Sequence, residues 1–261
     1  MEDILKALVL GTIQGLTEFL PISSTGHLLL GRKLLGLSEA GLFLDTMLHL
    51  GTLLAVVAVF WQDIVYMLKR PFSRLSLLII VGTIPTAVIG LAFEDFFEEI
   101  SKTGVTVGWE FLATGLILWA ADNIKKRGSK SIDEISFKDA FIVGTLQGAA
   151  ILPAISRSGL TIAGALFQGI NKQAAARFSF LLSLPAILGA VVLQSVKLVG
   201  GHAESIGLLP LLAGTVAAAL AGYVAVKWML AIIQRGSLKV FSIYVWLLGI
   251  GVLTAQLLGK F

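Results

Sequence analysis

The chain has 261 residues and no cysteine, with 56% apolar and only 14% charged residues, and its mean hydropathy is +0.91. A soluble domain carries about 25% charge, so a solvated globular surface is excluded, as are disulfides, thiolate chemistry and cysteine-ligated zinc. The net charge of +4 does not point to nucleic acid, because the cations lie in short segments between apolar runs, where topology signals and lipid headgroups account for them.

The N-terminal "MEDILKALVL" has neither a basic leader nor a small-residue cleavage site, so no removable signal peptide is expected. Residues 4–30 are apolar but broken in the middle by Pro21, Gly26 and a run of hydroxyls. Three apolar runs follow at 43–62, 77–93 and 107–121. Residues 140–167 form a second broken segment around Pro153, and runs at 178–198, 208–230 and 240–258 complete the chain. Crossing a hydrocarbon core about 30 Å thick takes about 20 apolar residues. Proline removes a donor and clashes with the preceding turn, and irregular backbone at membrane depth survives only buried in protein or lining a wet cavity. The expected fold is therefore an all-α polytopic membrane protein, a single integral membrane domain. It has six transmembrane helices plus two re-entrant helix–loop–helix hairpins, at 4–30 and 140–167.

The two broken segments are alike. "GTIQG" at Gly11 and "GTLQG" at Gly144 are 133 residues apart, while Pro21 and Pro153, Ser24 and Ser156, Gly82 and Gly214, and Gly90 and Gly222 are each 132 apart. A nearly constant offset predicts an internal duplication, with one repeat over 1–130 and the other over 131–261. Lys69, Arg70 and Arg74, then Lys125, Lys126, Arg127 and Lys130, then Lys172 with Arg177, and Arg235 with Lys239 mark basic connections. The loop with Glu94, Asp95, Glu98 and Glu99 is acidic, and that near His202 is almost uncharged. The positive-inside rule then puts both termini outside, with Arg32 and Lys33 against the rule. The two halves have opposite topology, and their hairpins meet at mid-membrane.

In "QGLTEFLPISSTGH", Gln14 and Glu18 share a helical face, and Ser23, Ser24, Thr25 and His27 follow the break. An ionisable group at this depth marks a functional site by default. Ser24 and Thr25 suit a helix cap, and the same helix N-terminus suits an anion. In "PAISRSGLT", Arg157 cannot lose its charge and is surrounded by Ser156, Ser158 and Thr161, the composition of a phosphate cradle. Arg157 paired with Glu18 across the hairpins is the compatible resting state. Asp45 and His49, also four apart, are a weaker pair at the start of the first full span. The Trp residues tend towards span ends and read mainly as interface anchors.

Both motifs, the spans and the duplication resemble the undecaprenyl-diphosphate phosphatase family of bacterial bacitracin-resistance proteins, over the whole chain. The resemblance implies an enzyme that hydrolyses undecaprenyl diphosphate to undecaprenyl phosphate and inorganic phosphate. That reaction recycles the lipid carrier of peptidoglycan synthesis and confers bacitracin resistance. It implies the cytoplasmic (inner) membrane, an active site open to the periplasmic or outer side, and Mg²⁺ or Ca²⁺. On this reading Arg157, Ser156, Ser158 and Thr161 bind the diphosphate. Glu18, assisted by Gln14, holds a cation or acts as base. His27 is an acid, a base or the less favoured nucleophile. Ser24 is the first choice of nucleophile on a covalent route, water the alternative, and Ser23 and Thr25 position oxygens. The family's second motif has glycine where this chain has Ala154; if that position needs a positive φ, alanine costs about 1 kcal/mol or more. The competing reading is a secondary transporter or polyprenyl-phosphate flippase. Against it, Glu18 and His27 have Ile151 and Leu160 as their counterparts at offset 133. A homodimer is left open, and no nucleic-acid partner is expected.

Overall fold

The computed structural model describes residues 1–37, 42–124, 128–199 and 206–260. In chain order the helices are α1 (Glu2–Phe19), α2 (Ser24–Leu34), α3 (Leu42–Val59), α4 (Trp61–Lys69), α5 (Arg74–Ala92), α6 (Glu94–Thr103), α7 (Val107–Asp122), α8 (Phe137–Ala149), α9 (Arg157–Phe167), α10 (Lys172–Val199), α11 (Leu208–Arg235) and α12 (Lys239–Leu257). Among the described residues the only β pairing is one isolated bridge, Lys130 to Ile170. Helices α5, α10, α11 and α12 are each long and apolar enough to cross a bilayer, and the bent pairs α3/α4 and α6/α7 raise the count to six. The chain is an all-α, multi-pass membrane protein.

Both broken segments are helix pairs, α1/α2 and α8/α9. Leu20 ends α1 with extended backbone, φ −72° and ψ 144°. That is the conformation the following Pro21 imposes on the residue before it. Ser156 caps α9, its hydroxyl accepting from the Gly159 N–H.

The expected spans at 43–62 and 107–121 are modified. Helix α3 stops at Val59 and the chain turns 82° into α4, while α6 meets α7 at 109°. The stretches read as a basic connection and an acidic loop are thus short helices. "WQDIVYMLK" and "EDFFEEISKT" place apolar and polar residues on opposite helical faces, so they fold as helices while running across their neighbours. Neither buries a residue. The basic stretch Lys125–Arg127 and the loop around His202 lie outside the described residues.

The lipid-facing surface is written in helical steps of four. Ile80, Ile84 and Val88 on α5, and Val216, Leu220, Val224 and Trp228 on α11, are all exposed. Such continuous apolar stripes call for a non-aqueous partner. Inside, Phe19, Phe111, Phe178 and Phe180 are fully buried, and Phe19 meets Phe180 edge to face at 5.7 Å. Trp246 departs from the interface expectation. Its indole donates to the Leu112 carbonyl (3.1 Å) and stacks at a tilt on Trp119, fastening α12 to α7.

Helix α11 packs on α1 and α5 packs on α8, in each case through a glycine. A Cβ at Gly11 would lie 2.2 Å from the Gly214 carbonyl oxygen, and one at Gly144 would lie 1.9 Å from that of Gly82. These are the same positions the repeat pairs, Gly11 with Gly144 and Gly82 with Gly214. Each hairpin's first helix is therefore clasped by a span from the other half, at the same place in both. Gly189 in α10 has nothing within 4 Å of its would-be Cβ. Gly144→Ala is expected to lower the unfolding midpoint in detergent by the equivalent of about 1 kcal/mol or more, because overpacking meets backbone. Gly189→Ala should be neutral or stabilising by up to about 1 kcal/mol, and thermal unfolding of the purified variants checks the contrast.

Candidate active site

The two breaks face each other and share their hydrogen bonds. Ser23 Oγ donates to the Pro153 carbonyl at 2.8 Å, and Ser158 Oγ donates to the Leu20 carbonyl at 3.0 Å. Each hairpin thereby satisfies a carbonyl that the other's proline turn has freed, which an apolar surrounding requires. Ser23 also accepts from the Gly26 N–H at 3.3 Å as the cap of α2. It does this at φ 69°, the one positive φ at a non-glycine among the described residues.

Ala154 is not in that region, so the φ penalty expected there does not arise. It is fully buried, with its methyl against Gly26, where an added Cβ would stand 3.2 Å away.

Across this seam, Arg157 Nη2 donates to Glu18 Oε1 at 2.5 Å. The other carboxylate oxygen, Oε2, accepts from Ser24 Oγ at 2.6 Å and from Gln14 Nε2 at 3.0 Å. Glu18 is 7% exposed and Gln14 fully buried. Ser24 and Arg157 are the first residues of α2 and α9, so two helix N-termini converge on one carboxylate, the geometry that favours anions. Two polar atoms at this centre are buried and have no hydrogen-bond partner among the described residues, Arg157 Nη1 and Gln14 Oε1. A donor and an acceptor thus remain for a ligand.

Other sequence-predicted residues have different duties. The Ser156 hydroxyl caps α9 and lies 3.3 Å from Ser158 Oγ. Thr161 Oγ1 donates to the Arg157 carbonyl (2.8 Å) and lies 2.6 Å from Ser179 Oγ. The expected cradle of free hydroxyls at Ser156, Ser158 and Thr161 is here a buried scaffold for the Arg157 turn. Thr25 is half-buried beside Ser24.

His27 is not joined to the Glu18–Arg157 pair by any hydrogen bond among the described residues. Its Nδ1 lies 2.6 Å from the Ser23 carbonyl and its Nε2 lies 2.8 Å from the Tyr244 hydroxyl. A carbonyl only accepts, so Nδ1 carries the proton and Nε2 accepts from Tyr244 in the neutral ring. The two rings stack at 5.7 Å.

Among the described residues the imidazole nearest the carboxylate is His49, with Nε2 3.9 Å from Glu18 Oε2. Its Nδ1–H donates to the Asp45 carbonyl at 2.7 Å. The Asp45 carboxylate is paired with Arg32, which gives that cation, set against the charge rule, an internal reason for its place.

The profile of the family described as Bacitracin resistance protein BacA matches residues 7–251. The chain belongs to that family. It is 61% identical over 252 residues to Undecaprenyl-diphosphatase 4 of Bacillus cereus, covering 97% of each chain. It is 54% identical over 258 residues to Undecaprenyl-diphosphatase of Carboxydothermus hydrogenoformans, covering 98% of each. With Undecaprenyl-diphosphatase of Halothermothrix orenii the identity is 44% over 250 residues.

In this BacA-family chain, sequence reasoning named His49 only within the weaker Asp45–His49 pair and left three residues unassigned: Tyr244, and Glu110 and Thr114, which bond the Ala154 and Ser156 N–H groups beside Arg157. Glu110 carried a visible signal, as a lone carboxylate in the apolar run 107–121. Thr114 and Tyr244 carried none, since a hydroxyl in a span bonds its own helix as readily as a neighbour. Ser23 gives the test of the seam: Ser23→Ala loses both the inter-hairpin bond and the α2 cap and keeps a Cβ at positive φ, whereas Ser23→Gly loses the same two bonds but sheds the Cβ. Ser23→Ala should unfold at lower temperature than Ser23→Gly, by the equivalent of about 1 kcal/mol.

Proposed function

We infer that the protein hydrolyses undecaprenyl diphosphate to undecaprenyl phosphate and inorganic phosphate, the step that returns the lipid carrier to peptidoglycan synthesis and confers bacitracin resistance. The observation that carries this reading, in a chain of this family, is the Ser24–Glu18–Arg157 junction between the two breaks. It combines a hydroxyl held by a carboxylate with a fixed guanidinium in a nearly closed apolar setting.

The substrate's diphosphate binds at the N-termini of α2 and α9. Arg157 offers Nη1 directly and exchanges its Glu18 contact for phosphate oxygen, neutralising charge that builds in transfer. Glu18 Oε2, already 2.6 Å from Ser24 Oγ, takes the hydroxyl proton as Oγ bonds to the terminal phosphorus. The phosphoanhydride bond breaks and undecaprenyl phosphate leaves with the bridging oxygen. Water then attacks the phosphoserine phosphorus, the Ser24 Oγ–P bond breaks, and the Glu18 carboxyl returns its proton to Ser24 Oγ, while inorganic phosphate departs carrying the protons of the water. Both ring nitrogens of His27 are engaged, which favours it as an anchor of the α2 start rather than as the nucleophile.

The family resemblance implies a divalent cation. No group of three or more His, Asp or Glu residues suited to a metal occurs among the described residues. The orphaned Gln14 Oε1 beside the Glu18 carboxylate nevertheless fits Mg²⁺ or Ca²⁺ held jointly with substrate phosphate, since Mg²⁺ often takes one or two carboxylates plus phosphates. Gln14 and Glu18 would hold it, and it would supply charge neutralisation at the diphosphate.

The chain is organised as two inverted repeats, 1–130 and 131–261, with re-entrant hairpins. Support comes from the exchanged glycine contacts, Gly11 with Gly214 and Gly144 with Gly82. It lies in the cytoplasmic membrane with the site open to the outer side, a reading supported by the basic connections in the sequence. A carrier of similar architecture would not need the Ser24–Glu18 pair.

Purified protein in detergent should release phosphate from undecaprenyl diphosphate. Glu18→Gln should cut turnover by at least about 10²-fold and lower the unfolding temperature, since Arg157 loses its buried counter-charge; turnover is therefore compared on the folded fraction. Undiminished turnover in that variant removes Glu18 from the chemistry, and chelator sensitivity of the wild-type rate decides the cation.

A further inference from the structure

Helix α7 carries a second buried carboxylate that the chemistry above does not use. Glu110 is 6% exposed. Its Oε2 accepts the Ala154 N–H at 2.5 Å and its Oε1 accepts the Thr106 hydroxyl at 2.6 Å. One turn further along α7, Thr114 Oγ1 accepts the Ser156 N–H at 3.1 Å and lies 3.2 Å from the Ala154 carbonyl as its donor. Two side chains thus hold three backbone groups of the turn that immediately precedes Arg157. Water is excluded there, since Ala154 and Ser156 are at most 1% exposed.

We propose that Glu110 and Thr114 are positioning residues that lock the Pro153–Ser156 backbone so that Arg157 emerges towards Glu18. The inference rests on the phosphatase reading for its kinetic consequence, though not for its structural one. Phe111, between the two, explains why the lock is rigid. It is fully buried, its ring stands 5.6 Å from His27 edge to face, and it would meet a Cβ at Gly26 at 2.6 Å. One face of α7 therefore sets both breaks: through Phe111 against α2, and through Glu110 and Thr114 against the approach to α9.

The carboxylate acts as an acceptor here, not as a charge on substrate, which makes the conservative variants decisive. In Glu110→Gln the amide oxygen still accepts the Ala154 N–H, and the Thr106 hydroxyl turns to accept from the amide nitrogen. Activity should stay within about fivefold of wild type. Glu110→Ala leaves a buried N–H orphaned and the turn unlocked. The kcat should fall by about 10²-fold, the scale of a misplaced catalytic group. Thr114→Ser should resemble wild type and Thr114→Val should follow Glu110→Ala, which covers the case that Glu110→Ala does not fold. Amide hydrogen exchange gives a readout independent of activity. Ala154 and Ser156 should lose protection in Glu110→Ala and Thr114→Val, while the α1 amides at Gly11–Gly15 keep theirs. Glu110→Gln as inactive as Glu110→Ala, or unchanged protection at Ala154 in Glu110→Ala, would overturn the proposal. A wild-type protein that releases no phosphate defeats the functional reading alone and leaves the exchange result to decide this one.

Discussion

A helix that breaks inside an apolar slab exposes carbonyl and amide groups that water cannot reach, and each unsatisfied group costs several kcal/mol there. The structure answers this constraint by making each break the partner of something else. Ser23 serves Pro153, Ser158 serves Leu20, and Glu110 and Thr114 serve Ala154 and Ser156. Once the breaks must touch in order to be satisfied, the residues carried at their edges are brought together as well. Glu18 and Arg157 meet because the backbone around them has already been forced to.

That meeting has its own electrostatic logic. Removing one partner of a buried ion pair leaves an uncompensated charge and is strongly destabilising. The Glu18–Arg157 contact is therefore both a fastening of two hairpins and a reservoir of charge. On the proposed reading, a phosphate group that displaces Glu18 from Arg157 finds the guanidinium already desolvated and oriented, so little rearrangement is needed. The two other donors on Glu18, Gln14 Nε2 and Ser24 Oγ, keep it defined while the exchange occurs.

Scaffold and chemistry follow different rules across the two halves. Glycine contacts recur at repeat-matched positions, because close helix packing needs the same missing side chain wherever it occurs. Gln14 and Gln147 likewise match at the repeat offset, and each has a buried amide oxygen without a partner. The carboxylate does not recur, for Ile151 stands where Glu18 would have its counterpart. A single carboxylate–guanidinium junction between the two breaks uses one acid and one base, not two of each.

The sequence by itself determined the membrane class, the positions of the broken segments and the four residues Gln14, Glu18, Ser24 and Arg157 that the fold collects. Hydropathy, proline and isolated charge are local quantities, and each carries a large energetic consequence in an apolar medium. Only the tertiary structure decided what each hydroxyl and ring was for. Ser156, Ser158 and Thr161 read as a cradle, yet their hydroxyls bond the Gly159 N–H, the Leu20 carbonyl and the Arg157 carbonyl. His27 reads as an acid, a base or a nucleophile but its ring bonds Tyr244, while His49 stands 3.9 Å from the carboxylate. Helices α4 and α6 turn across their neighbours where a loop was expected. The reason is common to all of these: a short polar side chain reaches only about 3 Å, so its partner depends on which distant helix lies beside it. That helix order is set by packing across more than a hundred residues of chain, which no local pattern records.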